Sequence, residues 1–320
     1  MGDPCGIAPE ITYKAWETLK TQRKYCFAVI AQPGIFDCCN NKIKIITDPS
    51  EAINVFQDSL PLITIDGHNT EKGPPNQIQT ASILESIKLA VDICAKGKAD
   101  GVVTNPISKE ILYKSGFNFP GHTEYLGEIT KEIHMINSRG PVMMLSGGGL
   151  KIALITVHVP LKKAALLITK KEIIKKAKVI NEALIKDFGI KNPRIALAGI
   201  NPHAGENGQL GREEMEIINP AAEILRKEGI NISDALPADT LFHEEARSMY
   251  DAAIAMYHDQ GLIPVKTLDF YGGVNITLGL PIVRTSPDHG TAFNIAGKNI
   301  ARPDSLIAAI KTAREISDNR

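Results

Sequence analysis

The sequence lacks an excess of either charge, a long apolar segment and a secretory leader. Its 36 Lys and Arg residues balance 36 Asp and Glu residues, whereas proteins that bind nucleic acid or anionic lipid usually carry a basic excess. No run approaches the ~18 apolar residues that a membrane span needs, and the proline-containing, acidic first ten residues do not resemble a signal peptide. We therefore expect a cytoplasmic protein with neither a nucleic-acid nor a membrane partner.

The cysteines also lack a pattern. All five lie in the first third of the chain, and no Cys-X-X-Cys motif occurs among them. An odd number without such spacing, in a chain this long, indicates a reducing compartment rather than a disulfide framework. Adjacent Cys38 and Cys39 could form a metal pair, but no second cysteine pair follows, so this is the weaker interpretation.

Two common nucleotide-binding motifs are missing as well. No Gly-X-Gly-X-X-Gly follows a predicted strand, and no Gly-X-X-X-X-Gly-Lys-Ser/Thr occurs, which disfavours a classical dinucleotide fold and a P-loop. The triple glycine at 147–149 links two short apolar runs and predicts a hairpin turn instead.

What is present is an ordinary globular composition, with 43% hydrophobic residues, and a length that suggests about two domains. Short β-branched runs alternate with amphipathic stretches, which is typical of parallel α/β architecture. The predicted strands are 27–31, 62–65, 101–104, 142–146, 152–157, 195–199 and 252–257. The predicted helices are 9–20, 80–96, 170–188, 213–228 and 305–316.

Three histidines, His158, His203 and His258, follow predicted strands directly or within a few residues. The carboxyl ends of parallel strands form the ligand crevice in such sheets. Three imidazoles from three strand ends can bind a divalent metal and leave coordination positions for a substrate. Three unrelated loop histidines are the alternative, and we favour the metal site.

The segment Gly-His-Thr-Glu at 121–124 is a second candidate. His122 and Thr123 before a helix could contact a phosphate or carboxylate at the helix N-terminus. The alternative is an ordinary helix cap, with Thr123 as the N-cap residue.

Lys266, Asn275 and Arg284 lie near segment ends within a short stretch and form a third candidate. Lysine and arginine together can clamp a phosphate, and arginine can bind it through two hydrogen bonds. Solvated surface charge is the alternative, but it fits poorly for Arg284, which ends the apolar run 276–283. The loop 286–298 that follows has many small and polar residues, so it either wraps a ligand or is a long connection.

At these residues the sequence resembles the 4-hydroxythreonine-4-phosphate dehydrogenase family of pyridoxal phosphate biosynthesis. The resemblance runs nearly end to end, and its final segments are highly specific. The matching segments are GDPCGIAPEI at 2–11, GHTEYL at 121–126, HVPL at 158–161, NPHAGENGQLG at 201–211, PADTLF at 237–242, YHDQGLIPVK at 257–266 and GVNITLGLPIVRTSPDHGTAFNIAGK at 273–298. The last loop also resembles the adenine-binding loop of isopropylmalate and isocitrate dehydrogenases, which bind NAD without the glycine motif.

The resemblance implies an α/β fold of two α/β/α subdomains, like that of isocitrate and isopropylmalate dehydrogenases, with the active site in the cleft between them. We expect the first subdomain to comprise 1–125 and 286–320, and the second, with the metal and substrate residues, to comprise 126–285. The turn that begins at Gly2 should follow a strand, as it does in the family. We therefore expect the first subdomain to lack its N-terminal strand, through a late start codon or a trimmed chain.

The resemblance also assigns site residues by position. The implied metal ligands are His158, His203 and His258. The implied substrate contacts are His122, Thr123, Lys266, Asn275 and Arg284. The implied cofactor-binding residues are His289, Gly290, Thr291, Ala292, Asn294 and Ile295. The family usually has Asp where this chain has Asn294, which puts the preference between NAD and NADP in doubt. Lys266, Asp239 and Asp259 are candidates for the catalytic proton acceptor.

The implied activity is oxidation of 4-phosphonooxy-L-threonine, a small phosphorylated hydroxy-amino acid, to the 3-keto acid. Decarboxylation of that acid gives 3-amino-2-oxopropyl phosphate. The implied cofactors are NAD or NADP and one divalent metal per site (Zn, Co, Mn or Mg), in a homodimer with its site at the interface. Three alternatives remain open: a paralogous dehydrogenase of another phosphorylated hydroxy acid or diol, a metal-dependent hydrolase or lyase without nicotinamide, and a non-catalytic binding protein.

Overall fold

The computed structural model describes residues 1–36, 42–67, 72–119 and 121–320, so Cys38 and Cys39 lie outside the described residues. It divides into two compact units, Met1–Ile133 with Pro281–Ser317 and His134–Leu280 with Asp318–Arg320. The chain passes between the units at 133/134 and 280/281, whereas the predicted boundaries are 125/126 and 285/286. The last residues belong to the second unit because the guanidinium of Arg320 donates to both carboxylate oxygens of Asp187, at 2.7 and 3.1 Å.

The first unit begins with alternating helices and strands. In chain order these are α1 (Ala8–Leu19), β1 (Val29–Ala31), β2 (Ile43–Ile46), α2 (Ala52–Val55), β3 (Leu60–Thr64), α3 (Thr80–Ala95), β4 (Val102–Val103), α4 (Lys109–Lys114) and α5 (His122–Ile129). The second unit follows with β5 (Val142–Gly147), β6 (Leu150–Leu154), α6 (Leu161–Leu167), α7 (Lys170–Lys186), β7 (Ile195–Ala198), a π-helical turn (Glu214–Ile218), α8 (Asn219–Lys227), β8 (Ile232–Leu236), α9 (Ala238–Leu241), α10 (Glu244–Arg247), β9 (Ala252–Ala255), α11 (His258–Leu268) and β10 (Val274–Leu278). The chain then returns to the first unit with β11 (Arg284–Pro287) and α12 (Asp304–Asn319).

The core of the first unit forms around α1. A proline at its first turn starts the helix, because its missing N–H has no helical partner there in any case. Ile11, Ala15, Trp16 and Leu19 recur at helical spacing and are fully buried. The indole N–H of Trp16 donates to the carbonyl of Phe56 at 2.7 Å, so the largest core side chain has no unsatisfied polar atom.

The strands of the first unit form two parallel groups. β1, β3 and β2 are hydrogen-bonded in that order, with β1 at one edge, while β4 pairs with β11. A cavity of about 490 Å³ is lined by residues of β1 and β4 and by α1, α3 and α12. Its lining includes the charged residues Lys98, Asp100 and Arg314, so this cavity opens toward solvent and leaves part of its apolar lining without packing partners.

The second unit has a mixed sheet in the order β10-β5-β6-β9-β7-β8. β6, β9, β7 and β8 run parallel, whereas β5 is antiparallel to both β10 and β6. The predicted glycine hairpin is confirmed between β5 and β6, where Gly148 and Gly149 have φ of 57° and 78°, as a tight two-residue hairpin requires. The α/β fold is thus confirmed, with an antiparallel hairpin, as predicted, beside the parallel strands of this sheet.

The predicted helices lie close to the observed ones, with one informative exception. The predicted helix 213–228 is in fact a π-helical turn followed by α8, and such turns often occur at functional sites. Nothing helical within the described ranges has both the length and the hydropathy needed to span a bilayer.

Candidate active site

The three histidine-bearing loops of the second unit leave adjacent strands. β6, β9 and β7 are neighbours in the sheet and run parallel, so their carboxyl ends lie at one edge. His158 follows β6, His258 follows β9 and His203 follows β7. The order of strands therefore brings the starts of the three histidine-bearing loops to the same edge of one sheet, where ligand sites of parallel sheets lie.

His158 and His258 are close neighbours at that edge, with ring centroids 5.7 Å apart. His258 is the first residue of α11, and its Nδ1 lies 2.7 Å from Oδ1 of Asp259. A carboxylate beside one imidazole nitrogen fixes the ring orientation and leaves the other nitrogen for a metal, an arrangement common around metal ligands. Asp259 is thus placed to orient His258.

His203 does not join this pair. Its side chain is 66% exposed, and it lies on a turn with left-handed backbone conformation. Within the part of the chain that the structure describes, no group of three or more His, Cys, Asp or Glu side chains is close enough to hold a metal ion. The structure therefore brings together two of the three predicted imidazoles, and the long turn after β7 carries the third away from them.

Gln260 links two of these loops, and sequence reasoning missed it. Its Oε1 accepts from the backbone N–H of Met256 at 2.7 Å, and its Nε2 donates to the carbonyl of Gly199 at 2.6 Å. This buried amide ties the end of β9 to the end of β7, which fixes the starting points of the His258 and His203 loops. Its place directly after His-Asp in the sequence was the only available signal.

Three further predicted site residues of the second unit, Lys266, Asn275 and Asp239, lie on separate elements. The Nζ of Lys266, on α11, lies 5.6 Å from the centre of the Phe270 ring. Asn275 lies on β10, and among the described residues its buried Oδ1 has no hydrogen-bond partner. Asp239 is exposed on the short helix α9. The unsatisfied amide oxygen of Asn275 is the feature here that points to a ligand.

Arg284 is the centre of a separate cluster in the first unit. It is the first residue of β11 and is only 2% exposed. Its Nε and Nη2 donate to Oγ1 of Thr104 at 3.2 and 2.7 Å, and Nη2 lies 3.4 Å from Nδ1 of His122. Pairing of β11 with β4, through Arg284 and Val102, brings the guanidinium to the loop that holds Thr104. The prediction that Arg284 is not ordinary surface charge is thus consistent with its burial.

The electrostatics of this cluster favour an anion. Burial lowers the pKa of Arg284 to about 10, an effect that the nearby Glu124 carboxylate partly opposes. Burial, and then the charges of Arg284 and Lys109, hold the pKa of His122 well below its usual range. Burial also lowers the pKa of Lys109, against the opposing charge of Glu124. The positive charges of Arg284 and Lys109, which contribute to the lowered pKa of His122, would stabilise a negative ligand beside them.

The hydrogen-bond pattern of His122 supports the same conclusion. If its Nδ1 accepts from Arg284, as the 3.4 Å approach allows, the neutral ring carries its proton on Nε2. That Nε2 is buried and has no hydrogen-bond partner among the described residues, as is also true of Oε2 of Glu124. A buried donor without an acceptor usually indicates a group that is absent.

The helix start next to this cluster is also available to an anion. α5 begins at His122, Gly121 is its N-cap, and no side chain caps it. The alternative of Thr123 as an ordinary N-cap is therefore wrong, because Thr123 lies inside the first turn. The uncapped N–H groups at a helix start are favourable partners for a phosphate or carboxylate.

The predicted cofactor loop is fixed against α1 of the first unit. The N–H of Ile7 donates to the carbonyl of Thr291 at 3.0 Å. A Cβ on Gly6 would lie 2.5 Å from that carbonyl, so only glycine allows this approach. Downstream of the loop, the N–H of Ala301 donates to Glu10 at 2.7 Å. These contacts give the loop a defined path over its neighbouring helix.

Within this loop lie all six predicted cofactor-binding residues, His289, Gly290, Thr291, Ala292, Asn294 and Ile295. Ala292 has a left-handed backbone, with φ of 45°, and a short 3₁₀ helix follows at Phe293–Ile295. The Nε2 of His289 is buried without a hydrogen-bond partner in the described structure. A fixed path, local strain and an unsatisfied polar atom favour a binding loop over a simple connection.

Comparisons of the sequence and of the structure with known proteins identify the same family. The model of the PdxA family, described as pyridoxal phosphate biosynthetic protein PdxA, matches residues 21–313. The 4-hydroxythreonine-4-phosphate dehydrogenase of Caulobacter vibrioides is 51% identical over 322 residues, which cover 100% of this chain and 96% of that protein.

Solved structures agree with the sequence match. The crystal structure of 4-hydroxythreonine-4-phosphate dehydrogenase from Klebsiella pneumoniae has a TM-score of 0.84 at 33% identity, and the match covers 99% of this chain and 96% of that one. A terephthalate 1,2-cis-dihydrodiol dehydrogenase from Burkholderia xenovorans is more distant, with a TM-score of 0.64 at 26% identity and coverage of 98% and 96%. The resemblance found in the sequence is confirmed: the chain belongs to the PdxA family, the 4-hydroxythreonine-4-phosphate dehydrogenases of pyridoxal phosphate biosynthesis.

Proposed function

We propose that the chain oxidises the C3 hydroxyl of 4-phosphonooxy-L-threonine with NAD or NADP, and that the resulting 3-keto acid loses CO₂ to give 3-amino-2-oxopropyl phosphate. The observation that carries this proposal is 51% identity to a 4-hydroxythreonine-4-phosphate dehydrogenase over the full chain. The oxidation transfers a hydride to the nicotinamide and a proton to a base.

The anionic end of the substrate suits the cluster around Arg284. Arg284 and Lys109 supply positive charge, the Nε2–H of His122 supplies a directed donor, and the start of α5 supplies backbone N–H groups. These groups together bind a phosphate or carboxylate more strongly than any one of them would. Thr123 lies in the same first turn of α5, and we propose that its hydroxyl also contacts the anion.

The metal would be held by His158 and His258 with His203 as the third ligand. The first two fit this role because their rings are adjacent and Asp259 occupies one nitrogen of His258. When bound, a divalent ion (Zn, Co, Mn or Mg) supplies Lewis-acid polarisation of the substrate hydroxyl. In a homodimer with its site at the interface, as the family resemblance implies, a second copy of the chain can contribute the outlying His203.

Exposed apolar side chains on the second unit support the proposed homodimer. Leu161 and Leu166 of α6 are 64% and 78% exposed, and Ile263 and Phe270 are 64% and 67% exposed. Contiguous exposed apolar surface marks protein–protein contacts, and we propose that these side chains form such a surface in the dimer. Sedimentation equilibrium should therefore give twice the chain mass, and Leu166→Glu should shift the protein toward monomer. A wild-type monomer at enzymatic concentrations would contradict the dimer.

The nicotinamide cofactor would bind the loop from His289 to Ile295. The buried Nε2 of His289 offers one hydrogen bond, and the amide of Asn294 can both donate and accept. The bound nicotinamide would accept the hydride, while the loop would orient it. Asn294 leaves NAD and NADP as equal candidates.

Three side chains are candidates for the proton acceptor. Asp259 is engaged with His258, and Asp239 is exposed. Lys266 lies on the same helix as His258 and Asp259, so it shares an element with a proposed metal ligand. Replacing each in turn and comparing pH–rate profiles would separate them, since loss of the true base removes the limb that its ionisation produces.

A turnover assay tests the proposed function directly. The purified protein is mixed with 4-phosphonooxy-L-threonine, NAD or NADP, and Zn²⁺, Co²⁺, Mn²⁺ or Mg²⁺ in turn, and reduced nicotinamide is followed by absorbance. We expect turnover with at least one metal and its loss after chelation. No turnover in any combination would refute the proposal.

One related function has structural support of its own. The cis-dihydrodiol dehydrogenase of Burkholderia xenovorans resembles this chain over nearly its full length, so a cyclic diol is the second candidate substrate. A substrate panel separates the two, because a cyclic diol has no phosphate for the Arg284 cluster. Faster turnover of a diol than of the phosphorylated amino acid would favour this second candidate.

A further inference from the structure

The turn that carries His203 has an unusual backbone. His203, Ala204, Gly205, Glu206 and Asn207 all have positive φ, between 44° and 83°. Four of these five residues have a Cβ, which makes left-handed conformations unfavourable, and such residues normally occur singly. A run of this kind persists only where its surroundings hold it.

Glu214 is the side chain that holds the start of this turn. Its Oε1 accepts from the backbone N–H groups of Ile200 and Asn201, both at 2.8 Å. Its Oε2 accepts from the side-chain amide of Asn201 at 3.0 Å. Glu214 is only 1% exposed, so these hydrogen bonds form away from solvent, where a carboxylate most needs its donors.

The neighbouring glycines show how closely the turn fits this carboxylate. A Cβ on Gly199 would lie 3.1 Å from Oε1 of Glu214, and a Cβ on Gly205 would lie 2.7 Å from Oε2. The turn therefore passes both sides of the carboxylate. Glu214 itself is the first residue of the π-helical turn, so one irregular element supports another.

We propose that Glu214 is the positioning residue for His203: its carboxylate keeps residues 203–207 left-handed and thereby presents the His203 imidazole to a divalent metal. The metal part of this proposal rests on the proposed function. In this proposal Glu214 contacts neither the metal nor the substrate, and it acts through its hydrogen bonds to Ile200 and Asn201.

The test compares Glu214→Gln and Glu214→Ala with wild type, with His203→Ala as the ligand variant. Glu216→Gln is the matched control. Glu216 lies two residues after Glu214, its side chain is 57% exposed, and it pairs with Arg212 and not with the turn. Two readouts are taken on each protein. Amide hydrogen exchange over 199–210 reports the turn without metal, and titration with Co²⁺ reports affinity and, through the visible absorption of bound Co²⁺, ligand geometry.

We expect faster exchange in the turn for both Glu214 variants, with Glu214→Gln the milder because its Oε1 can still accept the two backbone N–H groups. Co²⁺ affinity should fall by about 10- to 100-fold, the range found when groups that orient metal ligands are removed. The Co²⁺ spectrum should move toward that of His203→Ala. Glu216→Gln should match wild type in both readouts.

The outcomes distinguish this inference from the proposed function. Unchanged exchange in both Glu214 variants overturns the claim that Glu214 holds the turn, whatever the metal does. Faster exchange with wild-type Co²⁺ affinity and spectrum overturns its role in presenting His203. A wild-type protein that binds no Co²⁺ refutes the metal part of the proposed function, while the exchange data still decide whether Glu214 holds the turn.

Discussion

Arg284 carries a guanidinium into an almost fully buried position beside Thr104 and His122. If it binds the substrate phosphate or carboxylate, truncation leaves that anion without its main partner. We expect Arg284→Ala to lower kcat/KM by a factor that corresponds to about 2–5 kcal/mol, the usual cost of removing one side of a buried charge pair. Most of this change should be an increase in KM. Steady-state kinetics with both substrates varied would measure it.

The control for that variant is a surface arginine. Arg314 pairs with Asp100 at 3.2 Å and is 39% exposed, and exposed pairs contribute little to stability. Arg314→Ala should leave KM for the substrate unchanged. An unaltered KM in Arg284→Ala would remove Arg284 from the substrate site.

His122 makes a prediction about pH. Burial and the neighbouring cations hold its pKa well below its usual range in the folded protein, whereas in the unfolded chain its pKa is about 6.5. As pH falls below about 6.5, the unfolded state therefore takes up a proton that the folded state does not. The free energy of unfolding should decrease through this window, and His122→Gln should flatten that decrease.

Urea denaturation at several pH values between about 5 and 7 would measure the slope for His122. Replacement of the exposed His134 by Gln serves as the matched control. Equal slopes in wild type and His122→Gln would show that His122 is not the group that resists protonation.

At the scale of the element, the turn after β7 depends on Gly205, where a Cβ would both strain the backbone and clash. Gly205 has φ of 83°, and an added Cβ would meet Glu214 at 2.7 Å and the carbonyl of Gly211 at 2.9 Å. Gly229 has φ of 89°, but an added Cβ there would meet nothing within 4 Å. The two positions share the backbone strain and differ in the steric clash.

We therefore expect Gly229→Ala to lower the free energy of unfolding by about 1–2 kcal/mol, the cost of a left-handed residue with a Cβ. Gly205→Ala should cost clearly more, because the carboxylate of Glu214 must move as well. Chemical denaturation of the two variants would give both values. Equal losses would mean that the turn can shift without strain.

Long amphipathic elements such as α3 and α7 could be predicted from sequence, because their apolar residues recur at helical spacing. The strands β2 and β8 were not predicted, since each lies at the edge of its sheet and has only one buried residue. The helix α11 was not predicted because Pro264 lies inside it, and proline is unfavourable in a helix interior. Tertiary contacts, which a local pattern does not contain, decide such cases.

The same limit applied to the site. The histidines after β6, β7 and β9 could be predicted as site residues because each follows an apolar run. Arg284 could be predicted because it ends such a run. Lys109, Glu124 and Gln260 were not predicted as site residues, since their roles depend on partners far away in sequence. Glu214 was concealed inside a predicted regular helix that is locally π-helical.

At the scale of the whole molecule, each of the two units has its own buried core, and the cavity of about 490 Å³ belongs to the first unit alone. Apolar side chains that line an open cavity lack packing partners on one side. The first unit should therefore unfold at a lower urea concentration than the second. The single tryptophan, Trp16, is fully buried in the first core, so its fluorescence reports that unit selectively.

We expect the Trp16 emission to shift at a lower urea concentration than the methyl resonances of the second unit. Ala90 lines the cavity, and Ala90→Val, which adds apolar contacts there, should raise the urea midpoint of the fluorescence change. Coincident transitions that Ala90→Val leaves unmoved would contradict this. If the expectation holds, a mild denaturant concentration can unfold the unit that bears the Arg284 cluster while the three histidine loops keep their native sheet.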